Sequence, residues 1–369
     1  MKNLNRYVVA VSGVVLHLML GSTYAWSVFR NPIISETGWD ISSVSFAFSL
    51  AIFCLGMSAA FMGHLVERFG PRIMGMISAI LYGAGNVLTG LAIETQQLWL
   101  LYVAYGILGG IGLGSGYITP VSTIIKWFPD RRGLATGFAI MGFGFASLVT
   151  SPQEKITILT HDGKKNAMNS QIITGLKANV AIKSKTFYII WLTLFINISC
   201  GLGLISAASP MAQDLAGYSA ESAALLVGVL GIFNGFGRLL WASLSDYIGR
   251  PLTFIILFIV NFIMTSSLFL SFNAIVFAIA MSILMTCYGA GFSLLPAYLS
   301  DIFGTKELAT LHGYSLTAWA IAGLFGPLLL SKTYSWGNSY QLTLMVFGFL
   351  FLFGLLLSLY LRKLTTKVV

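Results

Sequence analysis

The sequence predicts an all-α membrane protein built from two homologous helical bundles, with about 11 transmembrane helices. Three observations predict it. The 369-residue chain is 57% hydrophobic and only 9% charged. Apolar stretches of about 20 residues, the length a helix needs to cross a hydrocarbon core, recur along nearly all of it. Short motifs of the first half return in the second. Ordinary soluble domains are roughly 45–50% apolar and about 25% charged, so a water-soluble core cannot absorb this much apolar surface. Helices are the natural spanning form, because each satisfies its backbone hydrogen bonds within its own segment.

Spanning helices are expected near residues 7–29, 41–63, 72–93, 98–125 and 133–152, then near 187–210, 220–244, 252–271, 273–299, 308–332 and 339–361. The first follows Lys2 and Arg6 as a signal peptide would, but it is too long and lacks a small-residue cleavage site. The fourth carries Gly106, Gly109, Gly110, Gly112, Gly114 and Gly116. That run follows no strand and fits no nucleotide-binding fingerprint; it reads as close helix packing through small residues. Cys54, Cys200 and Cys287 all fall inside apolar segments, which indicates neither a disulfide framework nor a metal cluster.

The net charge of +9 does not call for nucleic acid, since the basic residues lie in short loops, where topology accounts for them. With the N-terminus inside, Lys2, Arg6, Arg68, Arg72, Lys126, Arg131 and Arg132 are cytoplasmic and only Arg30 is outside. In the second half Arg250, Lys306, Arg362, Lys363 and Lys367 favour the cytoplasm against Lys332 alone. Eleven full crossings cannot satisfy both halves. The polar stretch 153–186, with Lys155, Lys164, Lys165, Lys177, Lys183 and Lys185, reads as a cytoplasmic linker between bundles at 1–152 and 187–369. The first bundle is shorter by about one helix and its turn, so the expected plan is 12 helices with the sixth absent. Two alternatives meet the same charges: residues 133–152 re-enter instead of crossing, or the linker holds an amphipathic pass. Both termini are expected in the cytoplasm of a multi-pass cell-membrane protein.

The segment GHLVERFGPR at 63–72 reappears as ASLSDYIGRP at 242–251, matching Glu67 with Asp246 and Gly70 with Gly249. RGLAT at 132–136 recurs as KELAT at 306–310, and Pro120 has a counterpart in Pro296. Parallel halves with a charged loop after the second helix of each resemble the major facilitator superfamily over almost the full length. Within it, YAWSVFRNPI at 24–33, KWFPDRRGLATGF at 126–138, FNGFGRLLWASLSDYIGR at 233–250 and LLPAYLSDIFGT at 294–305 resemble the oxalate and formate antiporter family. The resemblance implies that helices 1, 4, 7 and 10 of the plan line a path, while 3, 6, 9 and 12 face lipid.

Arg238 is the sharpest chemical signal. It lies eight residues before Asp246, about 12 Å into the bilayer, near the middle of a core about 30 Å thick. A charge there costs roughly 2.5–3.5 kcal/mol or more. All twelve acidic residues map to loops or helix ends, so the guanidinium is expected to lack a partner from its own chain. The natural counter-ion is then a substrate carboxylate, which a planar guanidinium grips bidentately. The alternative is that Arg238 snorkels or binds backbone carbonyls.

The resemblance implies an arginine at this place on the eighth helix of oxalate-type members. It also implies a second cation on the eleventh, where this chain has Trp319. One cation favours a monoanion such as formate, lactate or pyruvate. Tyr24 and Trp26 on the first helix, Tyr117 on the fourth, and Tyr288 and Phe292 on the tenth are candidates to shape the cavity. Tyr24, Tyr117 and Phe292 match aromatic cavity positions of the family. Tyrosine and tryptophan serve equally as interfacial belt or packing. Asn234, one turn before Arg238, is a candidate to orient it.

Glu67, Arg68, Arg72, Asp246 and Arg250 read as cytoplasmic gate residues that pair with helix ends in one conformation and release in another; topogenic signals are the plainer reading. His17 is the one histidine expected mid-helix, as a hydrogen-bonded packing residue. Without a membrane carboxylate to relay protons, anion exchange or facilitated transport is expected. Nothing resembles a nucleophile triad, metal cluster or phosphate loop, so no enzyme activity, metal or cofactor is expected. The expected partners are a small organic anion and the lipid bilayer, with the chain acting as a monomer. The competing readings are a membrane sensor, a decayed carrier lacking one helix and, less readily, a channel.

Overall fold

The computed structural model describes residues 5–150, 175–271 and 273–365. Several helix starts are fixed by polar side chains that accept otherwise orphaned backbone N–H groups. Asn5 accepts from Tyr7, Ser184 from Phe187, Ser219 from Ser222, and Asn273 from Ile275 and Val276.

In the first half, α1 (Arg6–Leu20) passes through a 3-10 stretch (Gly21–Ala25) into α2 (Trp26–Thr37). The helical run therefore extends past the expected end at residue 29, with Pro32 inside it. α3 (Ile41–Glu94) holds two expected helices joined at Gly70. A short α4 (Leu98–Leu101) continues through a π-helical stretch (Tyr102–Gly109) into α5 (Gly110–Trp127), and α6 (Arg132–Thr150) follows.

In the second half come the short α7 (Ala178–Ala181), α8 (Lys185–Ser206) and α9 (Ala208–Ala216). They are followed by α10 (Ala220–Ile248), α11 (Arg250–Leu270), α12 (Ala274–Phe303), α13 (Leu308–Gly337) and α14 (Tyr340–Thr365). Of the expected linker, residues 153–174 lie outside the described residues. Its end is tied down: Gly175 bridges to Gly304, and Leu176 N donates to Phe303 O at 2.9 Å.

Among the described residues, nine stretches are long and apolar enough to cross a membrane, and one of them, Phe46–Glu94, contains the Gly70 break. Large apolar side chains such as Leu225, Leu270, Ile275 and Phe349 are exposed on the outside. Hydrocarbon, not water, suits such a surface.

The repeat read from sequence has a backbone counterpart. Gly70 (φ 81°, ψ 165°) and Gly249 (φ 84°, ψ 148°) adopt nearly the same conformation, one that side chains with a Cβ rarely reach. The glycine run packs α5 against α3 as expected: a Cβ on Gly110 would lie 2.7 Å from Ala51 O. The halves meet along two seams, α6 against α10 and α3 against α13. Both are close-packed. A Cβ on Gly137 would come within 2.6 Å of Arg238 O, and one on Gly313 would collide with the backbone of Ala59.

Candidate functional site

Arg238 lies on α10 where that helix packs against α6, and its side chain is 0% exposed. Its Nε donates to Asn234 Oδ1 at 3.2 Å, and its Nη1 donates to Ile140 O at 3.3 Å. The sequence-based expectation of no partner from its own chain is therefore corrected. Asn234 orients the guanidinium from one helical turn away, and a carbonyl of the opposite half accepts one hydrogen.

Those partners do not supply charge. No carboxylate pairs with Arg238 among the described residues, and Nη2 has no hydrogen-bond partner there. A guanidinium carries five N–H donors, so most of its capacity toward an anion remains. Its carbon lies 5.0 Å from the ring centre of Phe292 and 5.8 Å from that of Phe143. Aromatic faces attract the cation but leave its hydrogen bonds unfilled.

These rings belong to an aromatic block between the halves. Trp319 of α13 lies 4.6 Å from Phe292, 5.4 Å from Tyr117 and 6.2 Å from Phe143, all centre to centre. Tyr117 also meets Phe143 at 5.5 Å, and Tyr288 meets Phe292 edge-on at 5.4 Å. Tyr117, Tyr288 and Phe292 are thus gathered near Arg238. Trp26 is not: it stacks on Tyr105 at 4.2 Å in a separate apolar cluster with Ile33, Val44 and Leu101. The Tyr24 side chain lies outside the described residues.

Two histidines flank Tyr117, with ring centres at 5.1 Å for His17 and 6.1 Å for His312. His17 is held as expected of a packing residue, its Nδ1 2.9 Å from Ala139 O and its Nε2 3.1 Å from Tyr117 O. It is not the one histidine in the interior. His312 is 0% exposed, and neither ring nitrogen has a hydrogen-bond partner among the described residues. Sequence reasoning missed it because it lies only about 6 Å into α13, next to a loop rich in charge. The available signal was its place on the same helical face as Trp319, two turns away.

At the end of the molecule carrying Glu67 and Asp246, the two halves are tied by polar contacts. Glu67 Oε1 accepts from Ala309 N at 2.9 Å and its Oε2 pairs with Lys126 at 3.0 Å. Asp246 accepts from Gly133 N at 2.9 Å and Leu134 N at 2.7 Å, and pairs with Arg250. Each acid therefore caps the first turn of a helix in the opposite half, where the helix dipole favours negative charge. Asp301 pairs with Arg132 and Arg250, both at 3.2 Å. Arg68 and Arg72 are exposed and have no charged partner among the described residues. Arg68 lies over the ring of Phe69.

The described residues include no group of three His, Cys, Asp or Glu able to hold a metal ion. What the arrangement offers chemically is a desolvated cation with unfilled hydrogen-bond donors, which a negative charge would neutralise. The chain is 28% identical to the oxalate:formate antiporter of Oxalobacter formigenes, over 92% of its own length and 88% of that protein's. It is also 28% identical to monocarboxylate transporter 7 of Homo sapiens, across 37% of this chain and 26% of that one. Its fold matches the fucose:proton symporter FucP of E. coli with TM-score 0.74 at 11% identity, covering 97% of this chain and 99% of that one. The proton:xylose symporter XylE matches with TM-score 0.75 at 15% identity, covering 97% and 95%. The profile of the Major Facilitator Superfamily fits residues 11–153 and 163–368, and the chain belongs to that superfamily of membrane transporters.

Proposed function

We propose that this transporter carries a small monocarboxylate such as formate, lactate or pyruvate, by alternating-access exchange or facilitated transport, with Arg238 as the anion anchor. The observation that carries the reading is a fully buried guanidinium with no carboxylate partner among the described residues and donors to spare. An inward carboxylate neutralises it, and the fork geometry favours that group over a neutral solute. Asn234 and Ile140 O hold the guanidinium without cancelling its charge.

Valence follows from the same inventory. Trp319 occupies the place where the resemblance implies a second cation, so the site balances one negative charge better than two. Tyr117, Tyr288 and Phe292 supply its apolar wall. Likeness to an oxalate:formate antiporter and to a monocarboxylate transporter supports the substrate class. Exchange also suits an anion carrier energetically, because an inside-negative potential opposes net anion entry by about 2.3 kcal/mol per 100 mV.

Glu67 and Asp246, with Arg250, act as the gate. They cap the opposing helices when the two halves close at their end and release them when that end opens. Arg68 and Arg72 serve orientation by the positive-inside rule, which makes the gate end cytoplasmic, along with both termini and the stretch 153–186 between the bundles. With the native cysteines replaced, a cysteine at Lys183 should react with an impermeant reagent only in inside-out vesicles.

The test of function uses purified protein in liposomes loaded with unlabelled anion. Labelled lactate, pyruvate or formate should exchange well above protein-free liposomes, while succinate and a neutral sugar should not. Binding without exchange would favour a sensor or a carrier decayed by loss of its sixth helix. Single-channel currents would favour a pore.

A further inference from the structure

The end of the molecule opposite Glu67 and Asp246 holds a cavity with no part in the reading above. Its volume is about 400 Å³, and its wall is Asp214 and Leu215 of α9, Tyr334 of α13, Asn338 and Ser339 of the following turn, and Tyr340 of α14. That size falls among small-molecule sites, roughly 300–1,000 Å³. α13 starts beside the Glu67 seam and runs 30 residues to Gly337, which at 1.5 Å per residue puts the cavity about 45 Å from that seam.

The wall favours positive charge. Asp214 is exposed and pairs with no cation among the described residues. Lys332 lies two residues before Tyr334 and so about 200° around α13 from it, away from the cavity. The rings of Tyr334 and Tyr340 have centres 4.5 Å apart and a tilt of 38°. Among the described residues, no cation of the protein lies over either ring. Two helices also end here. α9 stops at Gly217 (φ 68°) and α13 at Asn338 (φ 45°), both left-handed, and a helix C-terminus carries negative partial charge. The positive end nearby, the start of α14, is already capped, since Ser339 Oγ accepts from Gln341 N at 3.2 Å.

An acid beside open aromatic rings is the chemistry that recognises ammonium groups. A small metal ion suits the cavity less, because one carboxylate supplies few of the oxygens that a hard cation takes. We propose that this cavity binds an organic ammonium group, with Asp214 as its counter-ion and the Tyr334–Tyr340 pair against its methyl or methylene groups. The ammonium comes from a free solute such as choline or from the headgroup of a choline or ethanolamine lipid, since both reach a pocket at the ends of spanning helices. Binding ties the end of α9 to the turn between α13 and α14, and it is independent of Arg238 and of the carrier reading.

The experiment titrates purified full-length protein in neutral detergent with labelled choline by equilibrium dialysis. Wild type should bind choline saturably, and dimethylbutanol, its uncharged carbon isostere, should not compete. Asp214→Asn should weaken binding at least about fivefold, and Tyr334→Leu about two- to fivefold, while Arg238→Gln should leave it unchanged. Repeating the titration in nanodiscs separates the two sources. Lower choline occupancy in phosphatidylethanolamine or phosphatidylcholine discs than in phosphatidylglycerol discs identifies a lipid headgroup in the site, and equal occupancy identifies a free solute. Absence of saturable choline binding in both detergent and phosphatidylglycerol discs overturns the inference. So does binding that is unchanged in both Asp214→Asn and Tyr334→Leu, or that the uncharged isostere displaces equally well. If one of these variants does not accumulate, the other decides together with the isostere. Failure of wild type to exchange anions would defeat the carrier reading and leave this site untouched.

Discussion

The end that carries Glu67 and Asp246, the proposed gate, and the centre of this molecule treat charge in opposite ways. At the gate end Glu67, Asp246 and Asp301 each find cationic partners, and two of them also take backbone N–H groups from the facing half. At the centre Arg238 and His312 are fully buried, yet one guanidinium nitrogen and both imidazole nitrogens lack hydrogen bonds among the described residues. Hydrogen bonds to charged groups contribute about 1.5–3 kcal/mol each, and an unmade buried one costs a comparable amount. The proposed roles account for the difference: a gate that holds the halves shut needs its charges paired, and an anchor for a carried anion needs donors to spare.

The largest expected effect tests the centre. Arg238→Lys keeps the charge but loses the planar fork and the geometry toward Asn234 and Ile140 O, so exchange of labelled lactate in liposomes should fall about 10- to 100-fold. Next comes the gate. Asp246→Asn weakens two bonds to the first turn of α6 and the pair with Arg250. A cysteine at Ser300, buried on α12 where the native hydroxyl accepts from Arg132 of α6, should then be labelled about 10- to 30-fold faster. Glu67→Gln touches a single backbone N–H and Lys126, and should accelerate that labelling only about threefold. Equal effects from the two acids would break the comparison between the seams.

Smaller effects follow from packing. Gly137→Ala and Gly313→Ala insert a methyl group against the opposing backbone, and each should destabilise the purified protein by about 1–3 kcal/mol in thermal melts. Trp26→Phe should leave exchange within about twofold, because Trp26 packs on Tyr105 away from the guanidinium.

Much of this was readable along single helices. Stretches of spanning length set the helices, and the Glu67/Asp246 and Gly70/Gly249 matches exposed the repeat. The distance from Asp246 set the depth of Arg238, since rise per residue is fixed. What was not legible depends on which faces of different helices meet. Ile140 O as a partner of Arg238, His312 beside Tyr117, and the separation of Trp26 from the central block are all of that kind. Depth can be counted in sequence, but azimuth between helices cannot. The extension of the first helical run to Thr37 was also hidden, because Pro32 reads as a stop when local sequence alone is considered.

The buried guanidinium is proposed to bind the transported anion. Tracer exchange of labelled lactate, pyruvate and formate by wild type and Arg238→Gln, reconstituted in equal amounts and melting at similar temperatures, tests it most directly. The variant should lose at least about 99% of wild-type exchange for every anion that wild type carries, a deficit near 2.7 kcal/mol. Exchange by Arg238→Gln at the wild-type rate would contradict it.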